Sequence, residues 1–336
     1  MKNHIRCAVI GLGRLGYWHA ENVAGRVKHS ELVCVVDADL QRAEKVGREL
    51  GAPRWTDNTD EVLEDPNIDA VVIATPTGTH ASLIKKAAQY GKAIFVEKPL
   101  TLQLAEADEV ISAVNQYNAQ CQVGFMRRFD PAYAEAKKRI AAGDIGKPIY
   151  FKAVSRDPVS PPAEFIRGSG GIFIDMAIHD YDLARFLMGS EVDAVSAHGS
   201  VLVYPFMREL QDSDQSLTYL RFASGAAGDV EASRNALYGY DIRGEVVGTE
   251  GTIQIGSLQH HDIRVLTLKG STHDIVPSFP ERFKDAYQLE MVHFIECCLR
   301  GEKPSVTVED GKAAQQIANA ATLAFQKRAE VRLADL

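Results

Sequence analysis

A chain of 336 residues, 46% hydrophobic and 24% charged with a formal charge of −8, is long enough for two domains, each with its own core. The charge is spread without a basic run, so nucleic acid is not an expected partner, and no apolar stretch reaches the length of a bilayer crossing. The first residues run straight into a strand with no room for a signal peptide, and the five cysteines lack C-x-x-C spacing, so a reduced, cytoplasmic protein is expected.

Arg6-Cys7-Ala8-Val9-Ile10 reads as a buried strand, and Gly11-Leu12-Gly13-Arg14-Leu15-Gly16 follows it without a gap. A helical pattern then covers residues 15–27. Strand before and helix after is the context that makes a G-x-G-x-x-G run a dinucleotide-binding turn. Gly11 would permit the tight turn, Gly13 the approach of pyrophosphate to backbone N–H groups, and Gly16 the packing of helix on strand.

The second strand, residues 32–36, ends at Asp37, about twenty residues after the glycines. A carboxylate there accepts hydrogen bonds from ribose hydroxyls and repels a 2′-phosphate. Ala38-Asp39 follows with no Arg or Ser immediately behind, so the cofactor reads as NAD rather than NADP. Asp39 is also placed to cap the next helix.

Residues 69–74 form a further buried strand that closes on Thr75-Pro76-Thr77-Gly78-Thr79-His80. Thr75 and Pro76 are candidates to border the cofactor, whereas His80 is expected to face the following helix or solvent. Ala93-Ile94-Phe95-Val96 is the next strand, and Glu97-Lys98-Pro99 ends it. The proline forbids further ladder pairing and biases Lys98 towards an extended conformation. A lysine at that place lies where open α/β sheets bind their ligands. A helix over residues 102–118 and a strand over 120–124 complete a doubly wound parallel sheet.

After Gly124 the pattern changes. Residues 130–142 read as a helix, with Pro131 early and Gly143 ending it. Strands are expected over residues 148–157, 192–203, 216–222, 227–233, 241–247 and 252–255, several of them alternating as in an antiparallel sheet. Helices over residues 281–299 and 310–327 close the chain. The expected fold is α/β: a Rossmann domain with a doubly wound parallel sheet over residues 1–124, then an α+β domain with a large, mostly antiparallel sheet over residues 125–336. The second domain would bind substrate and carry oligomerisation.

Residues 175–183 read as one helix that puts Asp175 and His179 at i and i+4, on one face. A carboxylate one turn from an imidazole fixes its tautomer and raises its basicity, which a general base needs to take a proton from an alcohol. The bland alternative is a surface Asp–His pair, and Asp180 and Asp182 read as solvated or structural. No metal is required, since His260-His261-Asp262 and His273 lack ligand spacing.

Gly11–Gly16, Glu97-Lys98-Pro99 and Asp175-x-x-x-His179, in this order, resemble the Gfo/Idh/MocA family of oxidoreductases. Gln122-Val123-Gly124-Phe125-Met126-Arg127-Arg128-Phe129-Asp130, Ser155-Arg156-Asp157-Pro158 and Gly170-Gly171-Ile172-Phe173-Ile174-Asp175 are similar to its inositol dehydrogenase branch. The resemblance implies a homotetramer that oxidises a cyclic polyol with NAD, Lys98 and His179 flanking the reacting hydroxyl and Asp175 beside them. Glu97 belongs with Lys98 to the cofactor-binding turn. A polyol carries hydroxyls and no charge, so its pocket wants balanced donors and acceptors. Arg127, Asp157, Asn235 and Tyr238 fit that description. Asp157 is placed in the pocket ahead of Arg156 because alternate strand residues point to opposite faces. For Arg127 the alternative is an interdomain salt bridge. Family members acting on other sugars keep the same catalytic motifs, while an NAD-sensing regulator would not need Lys98, Asp175 and His179 together.

Overall fold

The computed structural model describes residues 3–336; Met1 and Lys2, which open the expected run into the first strand, lie outside the described residues. The chain forms two units, Met1–Met126 with Asp285–Ala313, and Arg127–Lys284 with Ala314–Leu336.

The first unit is built on β1 (Ile5–Ile10), α1 (Arg14–Glu21), β2 (Ser30–Val36), α2 (Leu40–Leu50), β3 (Trp55–Thr56), α3 (Asp60–Leu63), β4 (Ala70–Ile73), α4 (His80–Gln89), β5 (Ala93–Glu97), α5 (Leu104–Gln116) and β6 (Cys121–Gly124). Its six strands lie in the order β3-β2-β1-β4-β5-β6, every pair parallel. The strands are near-continuous apolar runs because both faces of such a sheet are covered. Local signals set the helix ends. The Asp39 side chain accepts the N–H groups of Gln41 and Arg42, and Gly51 closes α2 at φ 72°. A capping box of Gln103 and Glu106 starts α5 two residues later than the periodicity predicts. The helix after the glycines does not run regularly to residue 27; beyond α1 it widens into a π turn over Asn22–Arg26.

The stretch Asp285–Ala313 belongs to this unit although it lies far along the chain. Met291, Phe294 and Ile295 are buried in one apolar cluster with Val9, Val35 and Phe95. The Gln120 amide donates to the Cys297 carbonyl at 2.9 Å.

The second unit contains α6 (Pro131–Ala142), β7 (Pro148–Arg156), α7 (Ala163–Ser169), α8 (Gly171–Asp175), α9 (Ile178–Met188), β8 (Val192–Ser200), β9 (Gln215–Phe222), β10 (Ala227–Ser233), β11 (Asp241–Gly248), β12 (Thr252–Ile255) and an exposed hairpin, β13 (Val265–Thr267) with β14 (Gly270–Thr272). Helices α10 (Phe279–Arg300) and α11 (Val308–Lys327) and the short β15 (Val331–Arg332) complete the chain. Seven strands lie in the order β12-β11-β7-β10-β9-β8-β15, antiparallel except for β7 and β10. Asp130 caps α6 and Gly143 ends it at φ 87°.

Two expected elements are cut short for visible reasons. Strand β8 stops at Ser200 because the buried Asp214 carboxylate takes the N–H groups of Leu202, Val203 and Tyr204, at 3.0, 2.7 and 2.8 Å. The expected helix over residues 175–183 is two helices. The N–H groups of Met176 and Ala177 both reach the Ile172 carbonyl, at 3.2 and 3.0 Å, and α9 begins anew with Asp180 and Tyr181 on the Ala177 carbonyl. Asp175 therefore ends one helix and His179 opens the next, so they are not i and i+4 on one continuous face.

Candidate functional site

In the first unit the carboxyl ends of β1, β2, β4 and β5 gather the residues expected to hold the cofactor. Gly11 lies at φ +87°, where a Cβ would come within 2.7 Å of the Ala74 carbonyl oxygen and 2.9 Å of the Thr75 methyl. At Gly16 a Cβ would stand 1.8 Å from the Gly11 carbonyl oxygen. Glycine is obligatory at both. At Gly13, by contrast, nothing lies within 4 Å of the Cβ position, so the backbone at the start of α1 is open to a ligand. Leu12 is buried, Leu15 half-buried and Arg14 exposed. Open N–H groups at a helix start suit a pyrophosphate.

Asp37 is 8% exposed and pins this turn. Its Oδ2 accepts the Leu12 N–H at 2.8 Å and its Oδ1 the Asp39 N–H at 2.9 Å. The Arg42 guanidinium approaches the same carboxylate at 3.3 Å. Sequence reading found no basic group immediately after the Asp37-Ala38-Asp39 run; the first turn of α2 brings one back.

Thr75, Pro76 and Lys98 follow β4 and β5, which pair from Ala70↔Ala93 to Ile73↔Val96. His80, expected to face the following helix or solvent, instead bridges two loops. It is buried, with Nδ1 at 3.0 Å from the Pro99 carbonyl and Nε2 at 2.9 Å from that of Thr75, so one ring spans both loops. Burial lowers its pKa against those two carbonyls. Lys98 is half-buried, and Glu97 before it is buried with Oε1 at 2.7 Å from His19 Nε2.

In the second unit the ends of β7, α8 and β10 meet around Arg234, a residue that sequence reading did not single out. Its side chain is fully buried, with Nη2 3.3 Å from Asp175 Oδ2 and Nη1 4.0 Å from Asp157 Oδ2. The backbone knits the same group together: the Asp157 N–H donates to the Ser233 carbonyl at 2.8 Å, and the Ala236 N–H to the Asp157 carbonyl at 2.9 Å. The Asn235 N–H donates to Ser233 Oγ at 3.2 Å. Asp212 joins the cluster: burial pushes its carboxyl up, and the Ile172 and Ser213 N–H groups, then Arg234, oppose that shift. Arg234 Nε and Nη1 and Asp212 Oδ2 make no hydrogen bond within the protein. One buried guanidinium among three carboxylates offers what a polyol uses: acceptors for its hydroxyl protons and donors for its oxygens.

Arg127 is held within the second unit, its Nη1 donating to Asp180 Oδ1 at 2.7 Å and Ser155 Oγ at 3.1 Å. This pair is not the interdomain bridge expected as the alternative. Asp180 and Asp182 are buried, not solvated, and Asp182 pairs with Arg128 at 2.6 Å. Burial pushes the Asp180 carboxyl up, and Arg127 and Ser155 pull it back. The Tyr238 hydroxyl is not brought to Asp157; it donates to Asp241 at 2.7 Å and accepts from Arg156 at 2.9 Å, on the sheet face opposite Ser155. His179 is buried at the start of α9. The signal for Arg234 was slight: an arginine directly before Asn235, at the end of an alternating strand.

Two family models match the chain: an oxidoreductase family NAD-binding Rossmann fold over residues 5–125, and the C-terminal alpha/beta domain of the same Gfo/Idh/MocA oxidoreductase family over residues 137–333. The chain is 56% identical to a scyllo-inositol 2-dehydrogenase (NAD(+)) of Bacillus subtilis, covering 99% of this chain and 97% of that one. It is 39% identical to a myo-inositol 2-dehydrogenase of Thermotoga maritima, with 99% of each covered. A solved structure of scyllo-inositol dehydrogenase from Lactobacillus casei, with bound NAD(H) and scyllo-inositol, matches at TM-score 0.94 and 32% identity, covering 98% of this chain and 99% of that one.

The Asp37–Arg42 contact yields a test of cofactor choice. Asp37→Ala should raise KM for NAD and admit NADP, since the exposed Arg42 guanidinium is left beside the place of the lost carboxylate. Adding Arg42→Ala should abolish the NADP activity. Initial rates with both cofactors check this, and an Asp37→Ala enzyme that still refuses NADP would contradict it.

Proposed function

The chain belongs to the Gfo/Idh/MocA family of oxidoreductases, and from that membership we propose that it oxidises scyllo-inositol to the 2-keto inositol with NAD. What carries the substrate assignment is the 56% identity, over nearly the whole chain, with the Bacillus subtilis enzyme. The cluster of Arg234, Asp157 and Asp175 supports it, because its groups suit an uncharged substrate rich in hydroxyls.

The residues Gly11, Leu12, Gly13, Arg14, Leu15, Asp37, Ala38, Thr75, Pro76, Glu97 and Lys98 would hold the cofactor. Bound there, the nicotinamide supplies the hydride acceptor. His179 accepts the hydroxyl proton as the carbon becomes a carbonyl, and the Lys98 ammonium stabilises the negative charge that develops on the oxygen. Asp175 acts on the base rather than on the carbon, and Arg234 keeps its carboxylate in place. Asp157 and Asn235 read the hydroxyls on the rim. Arg127 supports the same reading by holding α9 through Asp180, whereas Tyr238, on the other face of the sheet, takes no part in it.

The isomer follows from ring stereochemistry. In scyllo-inositol every hydroxyl is equatorial, so a pocket built for it has no partner for an axial one. Myo-inositol has a single axial hydroxyl, and stranding it costs about 1–3 kcal/mol, or roughly ten- to two-hundredfold in kcat/KM. We expect slower but measurable turnover of myo-inositol. A kcat/KM for myo-inositol equal to or above that for scyllo-inositol would favour the second reading, a myo-inositol 2-dehydrogenase, to which the Thermotoga maritima relative lends support. Faster oxidation of a pyranose than of either would discard the inositol assignment. His179→Ala and Lys98→Ala should each lower kcat by about 10²–10⁴-fold. Near-normal kcat in a folded His179→Ala enzyme would assign the base elsewhere.

Assembly as a homotetramer belongs to the same proposal. Leu217 and Tyr219 on the outward side of β9 are 46% and 44% exposed, and a second copy would cover them. Light scattering at micromolar protein should return the mass of four chains; a monomer mass would contradict it. The cytoplasm is the proposed location, in keeping with five cysteines carried as thiols. No helix of the described residues is long and apolar enough to cross a membrane.

A further inference from the structure

The first unit buries three titratable side chains to which the proposed reaction gives no direct part in the chemistry. His19 of α1, Glu97 at the end of β5 and Glu290 of α10 each offer one ligand atom, and these atoms lie within 4.8 Å of one another. His19 and Glu290 are completely buried and Glu97 is 5% exposed. The rings of Phe95 and Tyr287 enclose the imidazole, at centroid distances of 4.9 and 6.0 Å. Both carboxyl oxygens of Glu290, His19 Nδ1 and the amide oxygen of Gln122 make no hydrogen bond within the protein. Gln122 is tied to the same turn of α10, its Nε2 donating to the Glu290 carbonyl at 3.0 Å. Four uncommitted polar atoms in one buried place require a cause.

Two carboxyl groups this close and this deeply buried do not both ionise. Glu97 already has the imidazole at 2.7 Å and Glu290 has no such partner, so Glu290 is the one of the two that keeps its proton. Burial, and after it the neighbouring Glu97, hold the Glu290 carboxyl well above the ordinary carboxylate range. No lysine or arginine among the described residues pairs with it.

We propose that Glu290 is a positioning residue for Lys98: kept as the neutral acid, it donates a hydrogen bond from its single O–H to the Glu97–His19 pair through one bridging water. That hydrogen bond fixes the carboxyl end of β5, from which Lys98 projects. The inference rests on the reading of Lys98 as a reaction-site residue. Tight packing supports it, because Gly124 pairs with Glu97 and a Cβ at residue 124 would fall 3.3 Å from the Glu97 carboxyl carbon. A side chain held that closely transmits any rearrangement to the next residue along the chain.

An imidazole and two carboxylates also suit a divalent cation, which would require Glu290 to be ionised. The experiment separates the two states. Infrared spectroscopy of the full chain at neutral pH should show the carbonyl stretch of a buried carboxylic acid, shifting on deuterium exchange and missing in Glu290→Gln. Elemental analysis should find no stoichiometric metal. Glu290→Gln, neutral and of the same shape, should keep kcat within about threefold, whereas Glu290→Leu should lower it about ten- to hundredfold with little change in KM for NAD. If Glu290→Leu does not fold, the infrared band and the Glu290→Gln kinetics decide. A wild-type spectrum without the band, one bound metal per chain, or a folded Glu290→Gln that loses kcat beyond tenfold would overturn the proposal. Near-normal kcat in Lys98→Ala would overturn the reading of Lys98, and the infrared band would then test the Glu290 proton independently.

Discussion

Where β1 turns into α1 there is no room for a side chain. A Cβ at residue 16 would stand 1.8 Å from the Gly11 carbonyl oxygen, and one at residue 11 would meet the Ala74 carbonyl at 2.7 Å. Backbone is laid directly on backbone, and the rest of the ligand edge depends on that contact. It lets the Leu12 N–H reach Asp37 at the end of β2, and it seats the Thr75 methyl against Gly11 after β4. It also leaves Gly13 facing open space at the helix start. His80 then ties the Thr75 loop to the Pro99 loop through the carbonyls on either side of its ring. One steric constraint thus aligns the ends of four strands.

The second unit meets a different constraint, because the helix that carries His179 does not run on from the one that ends at Asp175. Helix α9 is fixed from beneath by Asp180 on Arg127 and Ser155, and by Asp182 on Arg128. Removing one partner of such a buried pair costs about 3–5 kcal/mol, so the rotation of the first turn of α9 is strongly set. His179 stands next to Asp180 and inherits that rotation. Arg234 does for Asp175 and Asp157 what Arg127 does for Asp180, and in both arginines part of the donor fork makes no hydrogen bond within the protein.

Features whose partners lie nearby in the chain were legible in the sequence. The glycine turn, the Asp39 cap, the Gly143 stop and most strands follow from neighbours a few residues away. The parallel sheet and the mostly antiparallel one follow from runs and alternation. What escaped sequence reading depends on distant partners. The burial of Asp180 and Asp182 needs Arg127 and Arg128, some fifty residues earlier. His80 turns inward because Pro99 and Thr75 offer carbonyls, and β8 ends early because Asp214 captures its N–H groups. The break after Asp175 lies in a one-residue slip of the hydrogen-bond ladder at Ala177, which no residue type announces. Arg234 was hidden because an arginine after a strand is ordinarily solvated, whereas this one is buried with Asp157 and Asp175, from separate elements, beside its guanidinium.

The proposed reaction moves a hydride from a ring carbon of scyllo-inositol to NAD. The most direct measurement uses scyllo-inositol carrying deuterium on its ring carbons, with mass analysis of the reduced cofactor after turnover. One deuterium per molecule of reduced cofactor, with the ring converted to its keto form, is the predicted result. Reduced cofactor without the label, or no reduction at all with this substrate, would contradict the account.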